Sequence, residues 1–257
     1  MRKPYMRAGL VPNRPADLPP RELLARQSRR LSAMRGRLLR RVGVARRGPV
    51  LDLGAGHGAA VGELVRRSRG PVVAIDKRKE ALSAYANSEE TSFDGALRVV
   101  ADGETLPFPD GIFSLVHGQL VLMWQPRPED LVAEIARVLE PGGVCISIEP
   151  DYGGMMEWPP GVALRGIWIE ALNRVGADPL IGRKLPAIFA GEGLQAKVDL
   201  LGATSASDPD RFELLDGLPL TSEERAIVDN AREEDSSCSN EQSFIHLPYV
   251  FITGTRL

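Results

Sequence analysis

The chain has 257 residues, 43% hydrophobic and 26% charged, with a formal net charge of −2. That composition excludes a disordered or fibrous protein, and the charge excludes a polycation built to coat nucleic acid. Cys145 and Cys238 lie far apart, which excludes a disulfide scaffold and a four-cysteine zinc site. No His and carboxylate cluster has ligand spacing, so no metal is expected. No apolar run of about 18 residues spans a membrane, the first residues do not form a secretory signal, and the expected location is cytoplasmic.

Charge is divided along the chain. Residues 1–48 hold 14 Lys and Arg against Asp17 and Glu22, so a basic arm precedes an acidic body. Pro4, Pro12, Pro15, Pro19 and Pro20 forbid a continuous helix at the start, with Tyr5 the arm's single aromatic. A helix is predicted after Pro20, with Leu24, Leu31, Met34, Leu38 and Val42 on one stripe and arginines between them. The stripe is expected to pack on the body while the arginines are solvated. RNA binding, an anionic membrane surface and organelle targeting are the alternatives for such an arm.

From residue 49 the pattern becomes regular. Val50-Leu51-Asp52-Leu53 reads as a strand, followed by a turn with Gly54, Gly56 and Gly58, and a helix carrying Val61, Leu64 and Val65. Val72 to Ile75 is a second strand ending at Asp76; Ala81, Leu82 and Tyr85 mark a helix; Leu97, Val99 and Val100 mark a third strand ending near Asp102. Phe113 to Val116 is a fourth strand. A helix from Pro128 places Leu131, Ile135, Val138 and Leu139 on one face, and Pro141-Gly142-Gly143 is expected to stop it. Val144 to Ile148 is a fifth strand. Strands alternating with amphipathic helices define βαβ units and a parallel sheet.

The rhythm then changes. Residues 151–160 read as a loop, with a helix over 162–175, a Gly- and Pro-punctuated stretch to Pro186 and a strand over 194–201. The polar stretch 206–242 holds a helix over 222–233, and Pro248 to Thr253 forms a last strand, suggesting an antiparallel finish. The reading is one domain at 45–257 preceded by the arm at 1–44, with residues 151–190 and the arm covering the substrate.

The chemistry lies in the first turn from strand to helix. Glycines there let a ligand approach the backbone, beside the free N–H groups of a helix start. Asp76, 22 residues after Gly54, is placed to accept both hydroxyls of a ribose, and Asp102 to accept an exocyclic amine. Gly54, Gly56 and Ala59 also satisfy the dinucleotide fingerprint, so this motif alone cannot separate a nicotinamide cofactor from another adenosine ligand. Asp52 opposes a pyrophosphate and suits a ligand with a cationic far end.

Four ordered blocks, VLDLGAGHG, VVAIDKRKEAL, ADGETLPFPDGIFSLVHGQ and EIARVLEPGGVCISIEP, give the segment 45–150 its character. In them the chain resembles the class I S-adenosylmethionine-dependent methyltransferases, and its small-molecule branch that includes quinone-biosynthesis enzymes. The resemblance implies an α/β fold: a Rossmann-like, seven-stranded, mostly parallel sheet with helices on both faces and the seventh strand antiparallel. It implies S-adenosyl-L-methionine as cofactor. Asp52 and Gly54 would face its methionine portion, Gly56 would shape the loop, Asp76 would hold the ribose and Lys77 would lie near the adenine. Asp102 and Gly103 would bind the adenine edge, while Gly118 and Gln119 would line the sulfonium end. His57, Ser114 and His117 depart from the family's usual residues.

The expected reaction is a single in-line methyl transfer to an O, N or C nucleophile of a small molecule. His117 is the candidate base, and His57, placed at a helix start, is expected to stay neutral. Glu149, Asp151 and Tyr152 should rim the pocket, with Tyr152 bonding the acceptor. Trp124, Met155, Met156 and Trp158 would wall a site for a planar or lipophilic molecule. Gly54→Val is expected to exclude cofactor from a folded protein. The alternatives are an RNA methyltransferase, a nicotinamide-dependent oxidoreductase and a cofactor-binding protein without catalysis.

Overall fold

The computed structural model describes residues 19–83, 95–159, 163–200, 210–237 and 243–257. Pro4, Tyr5, Pro12, Pro15, Tyr85, Val162, Leu201 and Cys238 lie outside the described residues. The chain begins with α1 (Arg21–Arg41), then β1 (Val50–Leu53), α2 (Val61–Arg67), β2 (Val72–Asp76), α3 (Lys79–Ser83) and β3 (Ala96–Val100). It continues with β4 (Phe113–Gln119), α4 (Pro128–Val138), β5 (Leu139–Pro150), β6 (Met156–Trp158), α5 (Arg165–Arg174) and α6 (Ile181–Gly191). The last described elements are β7 (Leu194–Leu200), α7 (Asp210–Asp216), α8 (Ser222–Ser237), β8 (Phe244–His246) and β9 (Tyr249–Arg256).

Seven strands form one sheet in the order β3-β2-β1-β4-β5-β9-β7. The pairs from β3 to β5 are parallel, and β9 runs antiparallel to both β5 and β7. Alternation along the strands feeds two cores. Leu51, Leu53, Ile75 and Val116 face Leu131 and Ile135 of α4 and Leu185 and Phe189 of α6. Val50, Val72, Leu115 and Ile146 face Leu31, Leu38 and Leu39 of α1 and Leu64 of α2. Strand order reverses between β1 and β4, so the connections leave in opposite directions and open a crevice at the carboxyl ends.

Four details differ from the sequence reading. α4 ends at Val138, with Leu139 already extended, and Pro141-Gly142-Gly143 lies at the start of β5 where its register against β4 shifts. Pairing with β4 takes Leu139 from the helix. Residues 156–158 are a strand, paired antiparallel with β8. Asp210–Asp216 is a helix although its sequence is polar; it buries Phe212 and Leu215. Pro186 sits inside α6. Its cost of about 3 kcal/mol is offset because Ile181, Leu185, Ile188 and Phe189 are buried along one stripe, each contributing about 2 kcal/mol.

The arm's helix forms as its spacing predicts, but its arginines are not simply solvated. Arg26 and Arg30 pair with Asp210 of α7, Arg26 also with Glu213, and Arg41 with Asp199 of β7. Arg35 is buried: its guanidinium donates to Glu63 of α2 at 2.8 Å, to the Ser28 hydroxyl at 3.0 Å and to Gln119 Oε1 at 2.7 Å. Leu23 takes the buried place assigned to Leu24, which faces the crevice instead. Arg35→Ala is expected to destabilise the fold by about 3 kcal/mol, because a buried charge network loses its centre. Urea unfolding measures this; an unchanged midpoint would mean that the Arg35 network adds nothing to the fold.

Candidate active site

At the carboxyl ends of β1, β2 and β4 lies a cavity of about 250 Å³. Its walls include Asp52, Gly54, Gly56, Asp76, Lys77, Asp102, Gly103, His117, Gln119 and Tyr152. Of the residues singled out in the sequence for catalysis or cofactor contact, Gly118 alone is not a wall residue. It is buried in β4, where an added Cβ would lie 3.8 Å from Val121 Cγ2 and 3.9 Å from the Leu53 carbonyl oxygen.

The glycine turn is held by its own carboxylate. Gly54, Gly56 and Gly58 have φ of 64°, 52° and 72°, a region that residues with a Cβ rarely adopt. Asp76 Oδ2 accepts from the Gly56 N–H and Oδ1 from the Arg78 N–H, both at 2.9 Å. Each oxygen keeps a lone pair for a ligand. Asp102 accepts from the Glu104 N–H at 3.1 Å. A Cβ on Gly54 would stand 2.6 Å from Val121 Cγ2. Valine at 54 therefore strains the backbone as well as filling the cavity, and the expectation of an undisturbed fold is corrected.

Asp52 and His117 are register partners on neighbouring strands. Their side chains share one sheet face, and His117 Nδ1 lies 2.6 Å from Asp52 Oδ1. The carboxylate accepts, so Nδ1 carries the proton. His117 is 0% exposed, borders the cavity and has no hydrogen-bond partner for its Nε2. The strand register makes His117 the buried partner of Asp52, which fixes the orientation of its ring. His57 also lies on the wall, but in the turn four residues before α2 rather than at a helix start. Its imidazole is held below the ordinary range, chiefly by burial and next by Arg21.

The far wall is apolar. Tyr152 stacks on Trp168, with ring centres 5.0 Å apart and planes 28° apart. Trp124, Leu172, Leu214 and Leu218 complete it. Trp168 was not singled out in the sequence, because it falls within the amphipathic pattern of a helix. Met155 is buried in the core, and Met156 and Trp158 are exposed on β6, so these three do not wall the cavity.

Glu149 and Asp151 do not rim it either. Asp151 pairs with Arg183 at 2.8 Å. Glu149 is fully buried and accepts from the N–H groups of Val121, Leu122 and Met123 at 2.9, 2.8 and 3.3 Å. Burial pushes its carboxyl up to about 7 against the pull of those N–H groups.

Residues 51–147 match the family model described as a methyltransferase domain. A malonyl-[acyl-carrier protein] O-methyltransferase of Marinomonas is 37% identical over 109 residues, which are 42% of this chain and 40% of that protein. The chain spans less than half the length of the curated relatives it matches. The YcgJ protein of Bacillus subtilis superposes with a TM-score of 0.61 at 18% identity, over 86% of this chain and 97% of that one. A geranyl diphosphate C-methyltransferase of Streptomyces coelicolor, solved with Mg²⁺, geranyl diphosphate and S-adenosyl-L-homocysteine, superposes with a TM-score of 0.56 at 19% identity, over 92% and 83%. The fold is that of the class I methyltransferases.

Glu149 gives a pH dependence with a definite sign. A carboxyl raised to about 7 keeps in the fold a proton that the unfolded chain releases near 4.5. Its stabilising contribution is present below that lower value and is lost as pH rises through the upper one. Urea unfolding at pH 5 and pH 7.5 is expected to show the wild type losing about 2 kcal/mol relative to Glu149→Gln. Equal slopes would mean that the buried group is already ionised at the lower pH.

Proposed function

We propose that this protein transfers a methyl group from S-adenosyl-L-methionine to a planar, lipophilic small molecule. The carrying observation is the pairing of three strand-end carboxylates, Asp52, Asp76 and Asp102, with a flat aromatic wall in one cavity. The cofactor fits these residues. The glycine turn brings bare backbone to the cavity wall, and each carboxylate is an acceptor for a different polar part of the cofactor.

Asp76 holds the ribose hydroxyls with the lone pairs left over from Gly56 and Arg78. Asp102 and Gly103 bind the adenine edge, with Lys77 beside it, and Gln119 borders the methyl-bearing end. Gln119 is held from behind by Arg35. Asp52 supplies negative charge toward the cationic end, and His117 fixes its orientation. When bound, the cofactor supplies an electrophilic methyl group, so the protein's share is alignment and exclusion of water. The basic arm and residues 151–190 act as the cover, through Leu24 on one side and Tyr152 and Trp168 on the other.

The acceptor half carries no ionic side chain among the described residues: Asp52, His57, Asp76, Lys77, Arg78, Asp102 and the buried His117 all lie at the carboxyl ends of β1, β2, β3 and β4. A diphosphate or another strongly anionic acceptor would find no cation among the described residues of the aromatic wall. Stacking on Tyr152 and Trp168 favours a flat, uncharged molecule. A base is needed only for a nucleophile protonated at neutral pH, and none is assigned here. The arm's pairing with Asp199, Asp210 and Glu213 leaves RNA the poorer acceptor.

Calorimetry with S-adenosyl-L-homocysteine and with NAD tests the cofactor. Binding of the former is expected; binding of NAD alone would overturn the reading. Asp76→Ala is expected to weaken S-adenosyl-L-homocysteine binding by about 2 kcal/mol, roughly thirtyfold. Undiminished affinity in a folded variant would remove Asp76 from the ribose site. Transfer of labelled methyl to an extract, with the product identified, separates an enzyme from a binding protein.

A further inference from the structure

β4 ends in a short turn over residues 120–124 that touches both halves of the cavity. Val121 packs over Gly54, close enough that a Cβ there would stand 2.6 Å from it. Trp124, three residues on, stands in the wall. The turn is not at ease on its own: Leu120 has φ of 59°, in the left-handed region that non-glycine residues avoid. Its three consecutive N–H groups at Val121, Leu122 and Met123 begin a single 3₁₀ turn, where no helical carbonyl precedes them. All three donate to one carboxylate, that of Glu149, which reaches across from β5.

We propose that Glu149 is a positioning residue for methyl transfer, its carboxylate holding the 120–124 turn so that Val121 and Trp124 keep the cofactor and acceptor halves in register. The inference rests on the cofactor reading above, because it assigns a function to the distance between those halves. Two further bonds fix the turn's ends: Leu120 N–H to the Ile148 carbonyl at 2.9 Å and Asp178 N–H to the Met123 carbonyl at 2.7 Å. Neither satisfies the three N–H groups between them. A buried carboxylate that does not line the cavity is costly, and a hydrophobic residue would serve the core better. Its bonding pattern supplies the reason for its presence.

Glu149→Gln tests this at pH 8, where the wild-type group is ionised. The amide keeps one oxygen for Val121 and Leu122 but sets an NH₂ donor against the Met123 N–H. Two readouts are taken below the melting temperature of each protein. Amide exchange of Val121, Leu122 and Met123 is expected to quicken at least about tenfold while β1 and β2 stay protected. The dissociation constant for S-adenosyl-L-homocysteine is expected to rise about tenfold, the size of one lost charge-assisted bond. Faster exchange with unchanged affinity would overturn the positioning role and leave Glu149 a structural cap. Unchanged exchange would overturn the anchoring itself. Should Glu149→Gln not fold, Glu149→Asp replaces it; it keeps the charge but is one methylene shorter, and Met123, the longest bond, is expected to lose protection first. A wild-type chain that binds no S-adenosyl-L-homocysteine would refute the cofactor reading, and the exchange data would still report on the anchor.

Discussion

Backbone N–H groups at the carboxyl ends of a parallel sheet have no strand to pair with, and something must accept them. Here carboxylates do so. Asp76 takes the N–H groups of Gly56 and Arg78, Asp102 that of Glu104, and Glu149 three in succession. Each closes a turn that borders or shapes the cavity. The shape of the site is thus set by acceptors belonging to the strands, which are the most rigid parts of the fold. Asp76 has a double assignment: it holds the loop in place and also offers its remaining lone pairs outward. A carboxylate already committed to two N–H groups is preorganised for a third partner.

The division of charge along the chain is resolved within the fold. The basic helix lies against the sheet face that carries Asp52 and His117, and its guanidiniums meet acids from regions more than 150 residues away. Most such pairs are partly exposed and individually weak. Arg35 differs: it is buried and connects α1, α2 and the end of β4. Through Gln119 this ties the arm to the cavity, so the first described helix belongs structurally to the site.

Much of this was legible in the sequence, for identifiable reasons. Buried parallel strands read as unbroken apolar runs, and the glycine turn with Asp76 and Asp102 sits at strand ends where βαβ geometry must put a ligand. The strand and helix order from 50 to 148 follows from those runs. What escaped was decided by tertiary contacts. Pro186 concealed α6 because burial of its apolar stripe outweighs a local penalty. β6 exists only because β8 lies beside it. Residue type alone puts methionine and tryptophan at 155–158 in the pocket, whereas their orientation depends on that ribbon. His117 stands alone in the sequence; only strand register shows that it faces Asp52. Glu149 looked like a rim residue, since no pattern in the sequence reveals which turn will need its N–H groups satisfied.

The placement of β9 between β5 and β7 bears on how the molecule is made. β7 is synthesised before the strand that must separate it from β5, so on the ribosome it has no neighbour to join. Its gap accepts an antiparallel insertion, and the inserted strand is made only after α7, α8 and β8. The open edge of β5 is exposed over that interval, with Ile146, Ile148 and their neighbours available to any other extended chain. Assembly of the sheet is therefore a late and non-local event, and the nascent polypeptide has to be shielded until it happens.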